Sequence, residues 1–281
     1  MIIEFIKFIV FSLGIVAISK YLLVPILRKI ALKLNLEPKA VGNITGVATS
    51  VPEFLTVCFS AASGFIGTSI YNILSSNVIN LVQYIFSIYL NKNQKYLKNR
   101  AIITDIILVI ITIFIPVIIV ASNIQTGVIT VIIFVILLAV FYYINNNVHK
   151  LYLQKKDKEI EVEEIAKNKS ESKKNIILYW IALIAVAVLL YIVGELLSSS
   201  LTNLSNSFGL PEFVLGILLG FITSLPELIT FSEAQKKEKA KNSETSNKLG
   251  VIEATNNLLT SNILNLFVIQ SIGIILYLII S

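Results

Sequence analysis

Apolar residues in this 281-residue chain fall into eight long runs, and these runs constrain the fold more than any other feature. A helix needs roughly 20 residues to cross the hydrocarbon core of a bilayer. Charged residues make up only 14% of the chain, whereas they make up about 25% of a typical soluble domain. The pattern predicts an all-α polytopic membrane protein with eight transmembrane helices, at residues 5–27, 41–63, 69–90, 102–122, 127–145, 175–198, 212–232 and 251–279. The last run predicts one long helix, since two spans would need about 40 residues.

Lysine and arginine are distributed unevenly among the connections between these spans. Nearly all of the 23 basic residues lie in four connections, at 27–40, 91–101, 146–174 and 233–250. The alternate connections hold none, at 64–68, 123–126 and 199–211. Because basic connections stay on the cytoplasmic side, this distribution predicts a multi-pass protein of the cell membrane with its N- and C-termini outside.

Two motifs occur twice along the chain, in the same order. GVATSVPEFLT (46–56) and GFITSLPELIT (220–230) are identical at six of eleven positions, and NILSSNVINL (72–81) and NLLTSNILNL (257–266) at six of ten. Two ordered matches indicate an internal duplication. In the predicted topology the second span runs outward and the seventh runs inward, so the two repeats are expected to be inverted. Inverted repeats are typical of secondary transporters, whose site lies near the midplane at the repeat interface.

The duplication divides the chain into three predicted parts. Residues 1–145 form a first repeat half of five spans, and residues 175–281 form a second half of three spans. Residues 146–174 join the halves and mix acidic with basic side chains, which is typical of a solvated helix or a disordered linker.

Each copy of the first motif places a carboxylate directly after a proline inside an apolar span: Glu53 after Pro52, and Glu227 after Pro226. A charged carboxylate at the bilayer centre costs roughly 2.5–3.5 kcal/mol, and such residues mark functional sites. Proline lacks an N–H and clashes with the carbonyl four residues earlier, so each proline is expected to break its helix and free backbone oxygen atoms. Carboxylates and carbonyls are the ligands that hard cations prefer, and Ca²⁺ takes six to eight oxygen atoms.

Further oxygen-bearing side chains surround these glutamates in the sequence. In the second motif, a serine and an asparagine four residues apart share one helix face. The predicted metal-binding residues are Glu53, Glu227, Thr49, Ser50, Thr223, Ser224, Ser76, Asn80, Ser261 and Asn265. For Asn77 and Asn262, ion binding and interhelical hydrogen bonding are equally compatible with the pattern.

The remaining ionisable residues predict no second site. The acidic residues near span ends are expected to be solvated: Glu4, Asp105, Glu195, Glu212 and Glu253. With a single cysteine, Cys58, and a single histidine, His149, a zinc or haem centre is not expected.

The segments ATSVPEFLT and ITSLPELIT, followed by SSNVIN and TSNILN, resemble the two alpha repeats of the sodium/calcium exchangers, within the cation/calcium antiporter superfamily. The resemblance implies that Glu53 and Glu227 are shared Ca²⁺ and Na⁺ ligands, and that Thr49 and Thr223 offer backbone carbonyls to Ca²⁺. It assigns Na⁺ binding to four serines and completion of the central site to two asparagines: Ser50, Ser224, Ser76, Ser261, Asn80 and Asn265. It also implies that the first and sixth spans slide as a gating bundle.

The sequence differs from members of that family in two respects. Members usually have ten spans, whereas eight are counted here, and members often have a carboxylate in one repeat at the position of Asn80 or Asn265. The expected function is secondary active antiport of Ca²⁺ for Na⁺ by alternating access. The alternatives are a Ca²⁺/H⁺ or other cation antiporter on the same scaffold and, as the weaker one, a passive cation channel.

The expected partners are the transported ions, Ca²⁺ and Na⁺ with H⁺ as the alternative, and the lipid bilayer. Neither enzymatic activity, nor a resident cofactor, nor a nucleic-acid partner is expected.

Overall fold

The computed structural model describes residues 2–34, 38–121, 127–152, 176–239 and 244–280, whose regular structure is helical throughout. The α-helices in chain order are α1 (Ile2–Ile18), α2 (Val24–Lys33), α3 (Pro38–Thr49), α4 (Val51–Ala62), α5 (Ile66–Leu90), α6 (Arg100–Ala121), α7 (Val128–Tyr152), α8 (Ile176–Phe208), α9 (Glu212–Thr223), α10 (Leu225–Lys239), α11 (Glu244–Ile263) and α12 (Gln270–Ile280). The same described residues include three shorter segments: π-helical turns at Ser19–Leu23 and Leu264–Ile269, and a 3₁₀ turn at Gln94–Lys98.

Among the described residues, eight helical segments are long and apolar enough to cross a membrane, in agreement with the predicted number. They are Ile3–Leu27, Lys39–Ala62, Ile66–Leu90, Arg100–Ile119, Val128–Asn145, Ile177–Ser205, Glu212–Lys236 and Lys248–Ile280. The final segment is a single helix of 33 residues, as predicted from its length. Helix α7 continues to Tyr152. The predicted linker beyond that point, up to residue 174, lies outside the described residues.

The sixth span is longer than its sequence predicts, since it continues past residue 198 to Ser205. The prediction ended where serine, threonine and asparagine become frequent. An apolar stripe nevertheless continues through this stretch, because Leu197, Leu201 and Leu204 are all buried. These leucines follow helical spacing, so packing of one face extends the helix where average hydropathy falls.

The two prolines of the repeated motif break their spans at equivalent places. Ser50 separates α3 from α4 with φ −80° and ψ −1°, and Ser224 separates α9 from α10 with φ −78° and ψ −2°. Each proline is the second residue of the helix that follows the break, where its missing N–H disturbs the helix least. The expectation of paired helix breaks is therefore confirmed, with nearly identical backbone geometry in both repeats.

Two close helix pairs form the centre of the molecule: α9 packs along α5, and α11 packs along α3. Each pair meets through glycines four residues apart on one helix, a spacing that lets helix backbones approach closely in membrane proteins. Gly42 and Gly46 of α3 face the backbone of α11, and Gly216 and Gly220 of α9 face that of α5. The pairs correspond to each other between the two repeats.

Apolar clusters flank this centre on both sides. One cluster joins α1 and α8 to α9 through residues such as Phe8, Ile15, Leu190 and Leu215. The other joins α6 and α7 to α5, α10, α11 and α12, and includes Tyr84, Val109, Phe134, Phe231 and Phe267. Polar side chains therefore concentrate between the central helices, with apolar packing outside them.

Candidate functional site

Glu53 and Glu227 are both fully buried, and each lies in the first turn of the helix that follows a break. The N-terminal turn of a helix carries partial positive charge that favours a carboxylate. The two side chains are close enough to interact electrostatically. The repeats therefore bring two acidic groups together in the centre of the helical bundle, although they are 174 positions apart in the chain.

The structure brings the other predicted residues to the same region. Thr223 and Ser76 lie beside the Glu53 carboxylate, and Thr49 and Ser261 lie beside that of Glu227. All ten have side chains exposed by 2% or less: Glu53, Glu227, Thr49, Ser50, Thr223, Ser224, Ser76, Asn80, Ser261 and Asn265. They come from both sides of each helix break and from the middle of α5 and the α11–α12 span.

Hydrogen bonds cross between the repeats at Ser261. Its Oγ donates to Glu227 Oε1 at 3.2 Å, and lies 3.0 Å from the Oγ of Ser50 in the first repeat. Asn80 Nδ2 also donates to Ser261 Oγ at 3.3 Å. Ser261 thus connects one glutamate to side chains from the opposite repeat.

Seven buried side-chain oxygen atoms in this region have no hydrogen-bond partner among the described residues. They are both Oε atoms of Glu53, Oε2 of Glu227, Thr223 Oγ1, Ser224 Oγ, Asn80 Oδ1 and Asn265 Oδ1. Buried polar atoms in native proteins are normally paired, and leaving one unpaired costs about 1–3 kcal/mol. Oxygen atoms of this kind and number match the six to eight that Ca²⁺ binds.

The donor set consists of two carboxylates and neutral oxygen atoms, without nitrogen or sulfur ligands. Within the described residues, no three histidine, cysteine, aspartate or glutamate side chains group together. Such a set suits a hard cation such as Ca²⁺ or Na⁺ rather than zinc, which favours histidine and cysteine.

A matched pair of supporting contacts was missed in the sequence. Asn72 Nδ2 donates to Thr56 Oγ1 at 2.7 Å, and Asn257 Nδ2 donates to Thr230 Oγ1 at 2.8 Å. Each threonine in turn donates to the carbonyl of the motif glutamate three residues earlier, at 3.0 Å in both repeats. The signal was available, because all four residues are identical positions of the repeated motifs. These bonds tie the second motif of each repeat to the helix that carries its glutamate.

Asn77 and Asn262 link α5 to α11 reciprocally. Each amide nitrogen donates to the backbone carbonyl of the other residue, at 3.3 and 3.1 Å. Their side-chain oxygens accept from the neighbouring site residues, Asn265 Nδ2 to Asn77 Oδ1 at 3.2 Å and Asn80 Nδ2 to Asn262 Oδ1 at 3.3 Å. This geometry favours the interhelical role of Asn77 and Asn262, and it leaves the oxygens of Asn80 and Asn265 unpaired.

Two of the acidic residues expected to be solvated are buried, which corrects that prediction. Asp105 is 1% exposed and Glu253 is 9% exposed. Asp105 interacts electrostatically with Tyr84, whose hydroxyl lies 2.7 Å from Thr255 Oγ1. The prediction failed because the position of a residue along a span indicates its depth in the membrane but not which face of the helix it lies on. In the structure, α6 packs against α5 and α11, and Asp105 is buried there.

The remaining acidic residues near span ends differ in their surroundings. Glu195 is exposed, and Glu4 pairs with Lys7 at 2.8 Å. Glu212 is half-buried and accepts the backbone N–H of Thr68 at 2.9 Å. A carboxylate at that position pairs with one of the unbonded N–H groups of the first turn of α5.

Comparisons with known proteins identify a family and a shared fold. The model of the family described as sodium/calcium exchanger protein matches residues 4–143 and 178–280. No curated protein matches the chain. The structure of the sodium-calcium exchanger NCX_Mj soaked with 10 mM Na⁺ and zero Ca²⁺ has a TM-score of 0.53 at 20% identity, over 98% of this chain and 84% of that one. The same exchanger soaked with 10 mM Na⁺ and 10 mM Sr²⁺ gives 0.53 at 19% identity, over 98% and 83%.

At this level of identity the structural likeness shows a shared fold. The family model, in contrast, matches most of the chain and both copies of the repeated motifs. This multi-pass membrane protein therefore belongs to the sodium/calcium exchanger family.

Proposed function

We propose that this protein is a secondary active antiporter that exchanges Ca²⁺ for Na⁺ at the site between Glu53 and Glu227. The observation that carries the proposal is the set of seven unpartnered oxygen atoms around two buried carboxylates. A site with two negative charges and neutral oxygens attracts cations, and its burial requires that the cations lose their water. Family membership supports the same conclusion.

Membership of the family suggests a division of roles among the side chains. Glu53 and Glu227 supply the charge for both ions, and the backbone carbonyls of Thr49 and Thr223 add Ca²⁺ ligands. Ser50, Ser76, Ser224 and Ser261 serve Na⁺. The unpaired oxygens of Asn80 and Asn265 complete the central position.

In the proposed mechanism, the site opens alternately to each side of the membrane, because the two repeats are inverted and both termini lie outside. Residues 1–145 and 175–281 form the halves, and residues 146–174 join them on the cytoplasmic side. The moving part comprises α1, α2 and α8, which form the first and sixth spans. Two contacts support this division: α1 and α8 pack mainly on each other, and Gly14 of α1 faces Val193 of α8. The ten site residues lie on the other helices, so the bundle can slide while the ligands stay in place.

A Ca²⁺/H⁺ antiporter on the same scaffold is the second candidate. The observation that favours it is the presence of asparagine at both central positions of the second motif. Each of the two carboxylates can carry a proton as well as bind a cation, which would couple Ca²⁺ to a pH gradient. A passive channel is the weaker alternative, because the site is closed off by buried side chains.

The test is Ca²⁺ flux into proteoliposomes that contain the purified full-length chain. An outward Na⁺ gradient should drive uptake of ⁴⁵Ca²⁺ against its own gradient, and an imposed pH gradient without Na⁺ should not. Uptake that follows the pH gradient alone would establish the proton-coupled alternative. Ca²⁺ movement that only dissipates its own gradient would establish a channel. Flux into vesicles without protein gives the background.

A further inference from the structure

We infer that a cavity beside Gln270 binds an uncharged, membrane-soluble molecule that carries a single hydroxyl group on an apolar chain. The cavity has a volume of about 50 Å³ and lies between α5, α6, α7 and the last span, which contains α12. It is separate from the ion site, since none of the ten residues assigned to that site lines it. The inference therefore does not depend on the proposed exchange.

The side chain of Gln270 is buried without satisfying its hydrogen-bonding groups. It is 4% exposed, and neither Oε1 nor Nε2 has a hydrogen-bond partner among the described residues. A buried amide that lacks its hydrogen bonds destabilises the fold, and polar side chains inside membrane spans normally bond to other groups of the protein. Because Gln270 lines the cavity, a bound molecule there can supply the missing partner.

The walls of the cavity are apolar apart from Gln270 and Thr130. Leu74, Phe134 and Leu266 are among the side chains that enclose it, and no ionised side chain of the described residues lines it. A charged ligand would therefore be buried without a counter-charge, which is strongly disfavoured. The walls favour an uncharged ligand whose body is apolar.

Water alone suits this cavity poorly. One water needs about 10–15 Å³, so the volume would hold about three to five, and a buried water makes about three hydrogen bonds. The polar groups of Gln270 and Thr130 are too few to hold a cluster of that size, and apolar cavities stay dry. A hydroxyl on an apolar chain fits better, because it donates to Oε1 of Gln270 and accepts from Nε2 while the chain fills the remaining space.

The cavity reaches the surface that faces the lipid. Ile70, Leu74 and Ile119 line it and are only half-buried, and the neighbouring Ile118 is 60% exposed within a membrane-spanning segment. Ile119 ends its span, and Thr130 lies near the start of the next span, at the end of the bundle that the predicted topology places outside. A molecule dissolved in the outer leaflet can therefore enter the cavity directly from the membrane.

The deciding experiment soaks crystals of the full-length protein in bromohexanol, whose bromine lies at the end of the chain opposite the hydroxyl, and locates the bromine by anomalous scattering. We expect a bromine peak at the cavity and density for the hydroxyl within hydrogen-bond distance of Gln270. Bromohexane, which lacks the hydroxyl, should need an about tenfold higher concentration for the same occupancy. Equal occupancy by bromohexane, or density for water alone beside Gln270, would overturn the inference.

Two variants test the role of Gln270 in detergent solution, where bromohexanol binding is measured from the concentration dependence of the melting temperature. Gln270→Leu removes both hydrogen-bonding atoms, so binding should weaken about tenfold. Gln83→Leu is the matched control and should bind as the unmodified protein does, because Gln83 is also buried with an unpartnered Oε1 but does not line the cavity.

Two outcomes in solution would contradict the inference. One is equal binding by Gln270→Leu and the unmodified protein. The other is binding at crystal concentration only, with the same effect of bromohexanol and bromohexane on the melting temperature of the unmodified protein. If Gln270→Leu does not fold, the comparison of bromohexanol with bromohexane on the unmodified protein still decides.

Discussion

The Oγ atoms of Ser50 and Ser261 lie 3.0 Å apart, although 211 positions separate the two residues in the chain. Ser50 forms the helix break of the first repeat, and Ser261 lies on α11 in the second repeat. Since Ser261 also donates to Glu227 at 3.2 Å, this contact connects the break in one repeat to the carboxylate of the other. The two copies of the motif therefore build one shared site.

Substitution of Ser261 by alanine should lower the apparent affinity for Na⁺ more than it lowers the stability of the fold. The change removes the hydrogen bond to Glu227, and bonds to charged groups contribute about 1.5–3 kcal/mol. This corresponds to a Na⁺ concentration for half-maximal exchange that rises at least about tenfold. The measurement is ⁴⁵Ca²⁺ uptake as a function of internal Na⁺.

Ser271→Ala is the matched control for this change. Ser271 is also buried on the same long span, but its hydroxyl donates only to the Phe267 carbonyl, at 2.7 Å. Its Na⁺ dependence should match that of the unmodified protein. Equal behaviour of the two variants would argue against a role of Ser261 in the site.

Replacement of Glu53 or Glu227 by glutamine should abolish Ca²⁺ binding and exchange. Each change preserves shape and removes half of the site's negative charge, so Ca²⁺ would leave an uncompensated charge in a fully buried position. We expect a loss of at least about 100-fold in Ca²⁺ affinity, measured by calorimetric titration in detergent. Glu195→Gln, at an exposed position of α8, should retain normal binding, and a similar loss there would indicate a non-specific effect.

The central features of the fold were predictable because they depend on local composition or on the repeat. Apolar runs predicted eight spans, and Pro52 and Pro226 predicted the breaks at Ser50 and Ser224. The repeated motifs predicted which polar side chains would be buried together, because a charged or polar residue in an apolar span needs an internal partner.

Features that depend on how the helices pack against one another could not be predicted from the sequence. Asp105 lies in a span that is apolar overall, and only the packing of α6 against α11 explains its burial. The π-helical turn at Leu264–Ile269, which contains Asn265, has no signal in the sequence, since the equivalent Asn80 lies in a regular α-helix. The repetition of the asparagine–threonine pairs is visible in the sequence, but their contacts depend on how α4 meets α5 and how α10 meets α11.

Thr56→Val and Thr230→Val should destabilise the protein to a similar extent. Valine preserves the shape of threonine and leaves the amide of Asn72 or Asn257 without its partner, in bonds of 2.7 and 2.8 Å. An unpaired buried donor costs about 1–3 kcal/mol, so each variant should show a similar decrease in melting temperature in detergent. Thr112→Val is the control, because Thr112 is equally buried but its hydroxyl bonds only the Val109 carbonyl. A large difference between the first two variants would contradict the structural equivalence of the repeats.

Gly46→Ala should push α3 away from α11, and Gly220→Ala should push α9 away from α5. A Cβ at Gly46 would lie 2.8 Å from the Asn257 carbonyl oxygen, and one at Gly220 would lie 2.7 Å from the Asn72 carbonyl oxygen. Neither oxygen can retreat without moving its helix, because both belong to the backbone. Overpacking of this kind costs about 1–3 kcal/mol, and the displaced helices also carry site residues. We therefore expect both a lower melting temperature and reduced exchange.

Gly127→Ala is the control for these glycine substitutions, since a Cβ at Gly127 meets no atom within 4 Å. It should leave the melting temperature and the exchange rate near those of the unmodified protein. Because Gly46 and Gly220 occupy equivalent positions in the two motifs, the structure predicts that their alanine variants lose comparable stability. Normal stability in either variant would mean that its helix pair is less closely packed than the contacts of Gly46 and Gly220 indicate.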